Sequence, residues 1–484
     1  MKILIASPEI FPFVKTGGLA DVTGSLPKAL KTLGVEVRVV LPKHKQIGEN
    51  FPLRYKNWKI FCPVSSKMVE GEVVESEYDG IISYLIEKDE YFYRDYLYST
   101  PDGDYLDNAE RFTFFSRAIL EAIKVTGYVP DVLHLNDWET ALSAMFLKIH
   151  YKNDHLLKNV ATLLTIHNLG YQGIFWHYDM HLLNVGWEYF TPEYLEFYGK
   201  INFLKAGIVF ADIINTVSKK YSQEIQTPEF GFGLDGVLRK RASDLFGVLN
   251  GIDYEEWNPE TDEKIPVKYN TNTVEKKKIN KVALQKTLGL QPSEDKPLIA
   301  TISRLSNQKG FDLIIPAIPQ LFALGVQYVV LGTGERRFHE ELEETKKRFP
   351  EVLGLKIGYD NDLAHLIEAG ADIFLLPSKY EPCGLNQLYS LKYGTVPVVR
   401  ATGGLDDTII DYNENPEAGT GFKFHEYTVD AMLSAVKRAL EVYRDKKSWE
   451  SLIKRCMAQD FSWERSAREY IKLYELALKK HGTS

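Results

Sequence analysis

The sequence predicts an α/β protein made of two open domains, each built on a parallel sheet. A chain of 484 residues exceeds the roughly 250–300 residues at which one hydrophobic core stops growing. Short apolar runs bounded by turn residues alternate with helical patterns, and parallel neighbours need a crossover long enough to hold a helix. The alternation occurs twice, on either side of a polar, Lys-rich stretch at Glu275–Lys281.

In the first series the strands read Lys2–Ser7, Val35–Leu41, Val132–Asn136, Thr162–His167 and Asp212–Val217. In the second they read Leu298–Ser303, Tyr328–Gly332, Leu355–Gly358, Ile373–Pro377 and Val396–Arg400. The boundary falls near Asn250-Gly251-Ile252-Asp253, a turn-prone stretch followed by Trp257-Asn258-Pro259. That places one domain at 1–250 and the other at 251–462. Trp463–Lys479 carries a helical apolar pattern (Ala467, Tyr470, Ile471, Tyr474, Leu478), so 463–484 reads as a terminal helix that suits either domain.

Apolar residues at 44% and charged residues at 26% match folded, soluble chains. The net charge of −8 argues against general affinity for nucleic acid or an anionic membrane, so any polyanionic ligand must meet a local basic pocket. Cys62, Cys383 and Cys456 form no CxxC pair and have no ligand-like His/Cys spacing, which points to neither a disulfide framework nor a metal site. Pro8 and Glu9 interrupt the apolar start too early for a signal peptide, and no run reaches the length of a membrane span. A cytoplasmic protein fits, its oligomeric state open.

Four constellations carry chemistry. Lys15-Thr16-Gly17-Gly18-Leu19-Ala20-Asp21 sets an ammonium and paired glycines before a helix expected to begin near Asp21. Backbone amides and a cation suit phosphate oxygens, while a plain strand-to-helix turn with a solvated lysine is the alternative. It is neither a Walker loop nor a GxGxxG fingerprint. Near the other end Thr402-Gly403-Gly404-Leu405-Asp406-Asp407 repeats the phrase, and each Gly-Gly is expected to let backbone amides approach a ligand.

Arg304 and Lys309 follow the strand Leu298–Ser303, and two fixed cations there would stabilise a diphosphate leaving group as its charge grows. In Ser378-Lys379-Tyr380-Glu381-Pro382-Cys383-Gly384-Leu385-Asn386-Gln387, Glu381 can accept sugar hydroxyls and the next helix start offers amides to phosphate. Cys383 reads as a small packed residue beside the site, since no histidine adjoins it in sequence. The fourth, Thr165 to Gly173, delivers His167 and Asn168 from a strand's end as hydroxyl partners. A satisfied core histidine is the alternative for His167.

The phrases KTGGLAD, IHNLGYQG, KAGIVFADIINTVS…TPEFGFGLDGVL, LNGID, SRLSNQKG, EPCGLNQ and TGGLDDT, in that order over nearly the whole chain, resemble the bacterial glycogen synthase and plant starch synthase family. The resemblance implies a GT-B fold of two Rossmann-like domains facing across a cleft, with the terminal helix crossing back to the first. It implies retaining transfer of glucose from ADP-glucose to an α-1,4-glucan, without a cofactor. Lys15, Gly17, Gly18 and Asp21 would line the donor site from one domain, and Arg304, Lys309 and Glu381 through Asn386, including Cys383, Gly384 and Leu385, from the other. His167, Asn168 and Asn250 would lie near the glucose, Tyr359 would stack on adenine, and Asp137 with Trp138 would face the acceptor. The family commonly has threonine where Asn386 stands and histidine where Glu139 stands.

Retaining hydrolases use a carboxylate nucleophile paired with an acid. The third constellation has only Glu381, and eight positions on stands Tyr389. Same-face attack is therefore the expected mechanism, with Arg304 and Lys309 holding the diphosphate and His167 beside the sugar. The rivals are a GT-B transferase using UDP-glucose or a non-glucan acceptor, and a silent glycan binder using aromatics such as Trp187–Tyr198, which read first as core.

Overall fold

A computed structural model describes residues 1–48 and 50–482. The chain forms two compact units, one holding most of residues 1–251 and the chain from Trp463 onward, the other residues 252–462 and the short stretch Ser218–Tyr221.

The first unit is organised by a nine-stranded sheet. In chain order its strands are β1 (Lys2–Ala6), β2 (Glu36–Pro42), β3 (Arg54–Val64), β4 (Lys67–Tyr78), β5 (Ile81–Glu87), β6 (Val132–Asn136) and β7 (Ala161–Ile166). A separate antiparallel ribbon, β8 (Ile174–Trp176), β9 (Glu196–Phe197) and β10 (Lys200–Asn202), precedes β11 (Ile213–Thr216) and β12 (Leu245–Gly247) of the main sheet. The order across that sheet is β12-β11-β7-β6-β1-β2-β5-β4-β3. Strand β1 lies parallel between β2 and β6, with Ile3 opposite both Val37 and Val132. Ile3, Leu4 and Ile5 are fully buried, and a strand covered on both faces reads as a continuous apolar run.

Strands β3 and β4 pair antiparallel at the sheet's edge and were not among the expected strands. Strand β3 buries Ile60, Cys62 and Val64 while exposing Lys59 and Phe61. Such alternation marks a half-solvated antiparallel strand, which a search for unbroken apolar runs passes over.

The helices that bear on function in this unit are α1 (Gly18–Thr32), α2 (Asn108–Thr126), α3 (Trp138–Ile149) and α4 (Phe203–Phe210). Helix α1 starts three residues before the expected Asp21. Glu9 accepts the backbone N–H of Thr16 and, at 2.9 Å, its hydroxyl, which fixes the turn that leads into the helix.

The terminal helix, Trp463–His481, packs on this unit. Ala467, Tyr470, Tyr474 and Ala477 are buried, Ser466 donates to the Leu249 carbonyl (2.7 Å), and the Tyr474 hydroxyl bonds His134 (2.9 Å). Residues 483 and 484 of the expected terminal segment lie outside the described residues.

Near the end of this helix Asp212 joins Lys148 (2.8 Å), His481 (3.2 Å) and the backbone and hydroxyl of Thr162. Burial alone would raise the Asp212 carboxyl, but hydrogen bonds from His481, Lys148 and Thr162 hold it at about 2. A depressed carboxylate contributes stability above its unfolded value, and that stability is lost as pH falls through the folded one. The shift amounts to about 2 kcal/mol. Asp212→Asn should therefore unfold at lower urea concentration at pH 7 and lose less stability than the parent between about pH 4 and pH 2. Equal acid losses in the two proteins would show that the cluster contributes nothing.

The second unit holds a six-stranded, all-parallel sheet of β13 (Leu298–Ile302), β14 (Gln327–Gly332), β15 (Leu353–Ile357), β16 (Ile373–Leu376), β17 (Val396–Arg400) and β18 (Phe422–Phe424), in the order β15-β14-β13-β16-β17-β18. Among its helices are α5 (Phe311–Ala323), α6 (Asn361–Gly370), α7 (Asn386–Tyr393) and α8 (Gly403–Thr408).

Both sheets reverse their winding once. The first unit's chain runs outward from β1 through β2 and then returns to build outward from β6, while the second does the same at β13 and β16. At such a switch point the loops leaving two neighbouring strands diverge and open a crevice at their carboxyl ends. The sequence constellations sit at these edges.

Candidate active site

In the first unit the loops after β1, β6 and β7 leave neighbouring strands, since Ala6 is opposite Leu135 and Asn136 opposite Thr165. The loop after β1 carries Lys15, Gly17 and Gly18. Lys15 pairs with Asp21 at 2.7 Å, both partly solvated. Gly17 is extended, with open space where a Cβ would stand.

After β6, Asp137 takes φ 56° and ψ −171°, a region that strains any residue but glycine. Its N–H donates to the Thr165 carbonyl (3.0 Å), and its carboxylate accepts the His167 N–H (2.7 Å). Burial pushes its carboxyl up to about 7. Trp138 is buried against Phe112 and Phe175, and any side chain at Gly173 would collide with its ring. It thus braces the Asp137 turn from within the core.

After β7, the His167 Nε2 bonds the Asn136 side chain at 2.9 Å. Burial pushes the imidazole down to about 3, so it stays neutral at physiological pH and serves as a hydrogen-bonding group without charge. The Asn168 side chain accepts the Gly170 N–H (2.9 Å). Asn250, after edge strand β12, is buried with Oδ1 unpartnered among the described residues.

In the second unit β13 and β16 are parallel neighbours, which brings Arg304 and Lys309 to the Ser378–Asn386 loop. The Lys309 ammonium lies 2.5 Å from a Glu381 oxygen that also accepts the Ser378 hydroxyl at 3.1 Å. Arg304 is exposed and donates to Gln308 (3.1 Å), whose own carbonyl accepts the Lys379 N–H (2.8 Å). The Asn386 amide opens α7 and donates to the Ile302 carbonyl at the end of β13. Cys383 is buried and Gly384 takes φ 72°. Tyr359 follows β15, two strands from the cations in sheet order, and is 82% exposed.

The structure assigns the second Gly-Gly phrase a different task from the expected one. A Cβ at Gly403 would lie 1.8 Å from the Glu381 carbonyl oxygen, and one at Gly404 2.0 Å from that of Cys383. The Gly404 N–H donates to the Glu381 carbonyl at 3.0 Å. These glycines admit another stretch of backbone, the Glu381–Cys383 loop, and hold it. Tyr389 is likewise structural, its ring stacked on Trp257 at 3.9 Å. The aromatic stretch read as core lies largely outside it, with Trp187, Tyr194 and Tyr198 exposed and Leu195 buried. Short turns and ribbon strands carry these rings to the surface, where Tyr194 stacks on Phe210 of α4 at 5.6 Å.

Glu9 went unassigned in the sequence, where it registered only as a break in an apolar run. Its position past β1 and its hold on Thr16 place it in the constellation. No local motif marks it, because its side-chain partners are Thr16, seven residues on, and Tyr98, 89 residues away.

Residues 2–240 match the family described as the starch synthase catalytic domain, and residues 289–455 match glycosyl transferases group 1. The chain is 47% identical to the glycogen synthase of Thermosipho africanus, over 99% of this chain and 100% of that one. It is 45% identical to that of Koribacter versatilis, over 99% and 98%. The chain belongs to the glycogen and starch synthase family. The catalytic domain of starch synthase IV from Arabidopsis thaliana, bound to ADP and acarbose, superposes with a TM-score of 0.90 at 32% identity, covering 99% of each chain. The architecture is accordingly GT-B, two Rossmann-like parallel-sheet domains in one chain, and the protein is a glycosyltransferase.

Proposed function

We propose that the protein transfers glucose from ADP-glucose to the non-reducing end of an α-1,4-glucan with retention of configuration. The observation that carries this reading is the pair of cations, Arg304 and Lys309, at the switch point of the second unit, with Lys309 gripped by Glu381 of the neighbouring loop. The ADP and acarbose on the related starch synthase support a nucleoside-diphosphate sugar and an α-glucan as the ligand classes.

In this reading the bond from the glucose C1 to the diphosphate breaks while a bond from C1 to the glucan hydroxyl forms on the same face. The departing phosphate oxygen takes the hydroxyl's proton. Arg304 and Lys309 answer the charge that grows on the diphosphate, and a fixed cation stabilises that developing charge more than the ground state. Glu381 keeps the Lys309 ammonium in place. Lys15, Gly18 and Asp21 serve the donor from the first unit, neutral His167 with Asn168 and Asn250 hold sugar hydroxyls, and Asp137, braced by Trp138, faces the acceptor. A cytoplasmic location belongs to the same proposal, and no helix among the described residues is long and apolar enough to cross a membrane.

Purified protein given ADP-glucose labelled in the sugar, with a maltooligosaccharide and excess EDTA, should extend the glucan by α-1,4 units, and UDP-glucose should serve less well. Absence of transfer would refute the reading, and loss with EDTA restored by Mg²⁺ would refute metal independence. Tyr359→Ala should weaken ADP binding by roughly 5- to 150-fold, because stacking of a base on an aromatic ring is worth about 1–3 kcal/mol. An unchanged Kd by calorimetry would remove Tyr359 from the donor site.

A further inference from the structure

Glu139 stands in the first turn of α3, two residues past Asp137, and is 5% exposed. Its Oε2 has no hydrogen-bond partner among the described residues. A buried carboxyl oxygen left unpaired is unfavourable, and such groups persist where they have a task. We propose that Glu139 is a positioning residue for the glucan acceptor, governing the placement and charge of Asp137 and through it the hold on the terminal glucose. This rests on the reading of the Asp137–Trp138 turn as the acceptor side.

The topology crowds carboxyl groups at this point. Strands β1 and β6 are parallel neighbours, so Glu9, past the end of β1, and Asp137 and Glu139, past the end of β6, share one desolvated edge. Burial first, and then the charges of Asp137 and Glu9, pushes the Glu139 carboxyl well above the usual carboxylate range. Asp137 is raised to about 7 by burial and by Glu9, and Glu9 is itself raised by burial.

The surrounding elements offer little compensating charge. Tyr98, ahead of α2, feels all three carboxyls and is neutral, as is His167. From α2 the Ser116 hydroxyl meets the Glu139 carbonyl (3.3 Å). Arg111 of that helix donates to Tyr91, Asn108 and Leu97, and Arg117 to Leu183. On α4 the Lys205 ammonium is bound to the Pro192 and Glu196 carbonyls.

The raised carboxyl favours the protonated form of Glu139, in which Asp137 can be ionised without a second anion on its own turn. The arrangement persists below the folded pKa of Glu139 and is lost as pH rises through it. An anion there repels the Asp137 carboxylate, which then either takes up a proton or leaves the His167 N–H.

The test is the pH dependence of the Michaelis constants of the full-length protein for maltohexaose and for ADP-glucose. In the parent protein the maltohexaose KM should rise about tenfold as pH is raised from neutrality into the alkaline range, while the ADP-glucose KM changes far less. Glu139→Gln, a permanently neutral isostere, should abolish the alkaline rise, and any change near pH 7 owed to Asp137 should remain in both proteins. A flat maltohexaose KM in the parent overturns the proposal however the variant folds, and so does an equal rise in Glu139→Gln. A parent protein that transfers glucose but shows a flat glucan KM defeats only this inference, whereas one that transfers no glucose defeats the proposed function with it.

Discussion

Alanine at Arg304 lowers kcat by about 10²–10³, with much smaller change in the affinity for ADP. The size follows from analogy with the loss of one preorganised donor to a developing anion. The direction separates two roles, since a cation that held substrate and transition state equally would raise KM and leave kcat unchanged. Arg304 is the cleaner probe because it is exposed and its hydrogen bond to Gln308 lies at the surface. Lys309→Ala should show a similar fall in kcat but also lower stability, because it strands the carboxylate of Glu381, which is only 6% exposed. The double variant Lys309→Ala, Glu381→Gln should recover stability without recovering kcat, as read by urea unfolding beside single-turnover rates. Lysine at Arg304 should restore activity only in part, since it keeps the charge but lacks the planar fork that grips two phosphate oxygens. Near-normal kcat in both alanine variants at saturating ADP-glucose would end the clamp hypothesis and leave Lys15 and the amides of Gly384–Asn386 as the candidates.

Gly404→Ala lowers kcat by about 10², the scale expected when catalytic groups shift by about an ångström, and destabilises the protein by about 1–3 kcal/mol. The added methyl would stand 2.0 Å from the Cys383 carbonyl oxygen and 2.5 Å from its Cα. Those neighbours are backbone and cannot rotate away, so the loop carrying Glu381 must move and the Gly404 to Glu381 hydrogen bond must lengthen. Gly17→Ala provides the contrast. Gly17 has an extended backbone and nothing within 4 Å of the new Cβ, so melting temperature should not change, and any fall in activity would report how closely the donor approaches that loop. Circular dichroism and melting curves distinguish a moved loop from an unfolded protein. Full activity in Gly404→Ala would show that the second Gly-Gly phrase does not position the catalytic loop.

These two glycine pairs are nearly the same words in sequence, and they show where legibility ended. What the chain determines by itself is what contiguous residues can encode. Strands buried on both faces appear as unbroken apolar runs, the parallel sheets follow from their alternation with helices, and KTGGLAD, SRLSNQKG and EPCGLNQ are each short enough to read whole.

Tertiary structure alone decided which strand ends are neighbours, and therefore which side chains meet. It set Lys309 against Glu381, 72 residues away, drew Glu9 to the start of α1, gathered Glu9, Asp137 and Glu139 at one edge, and packed the Thr402–Gly404 turn against another loop instead of leaving it open to a ligand. It also left Trp187 and Tyr198 at the surface. The physical reason is common to all of these. Local propensity and hydrophobic period depend on neighbours in sequence, whereas contact, desolvation and the resulting shifts in charge depend on the order of strands in the sheet, which is fixed only when distant segments pack together.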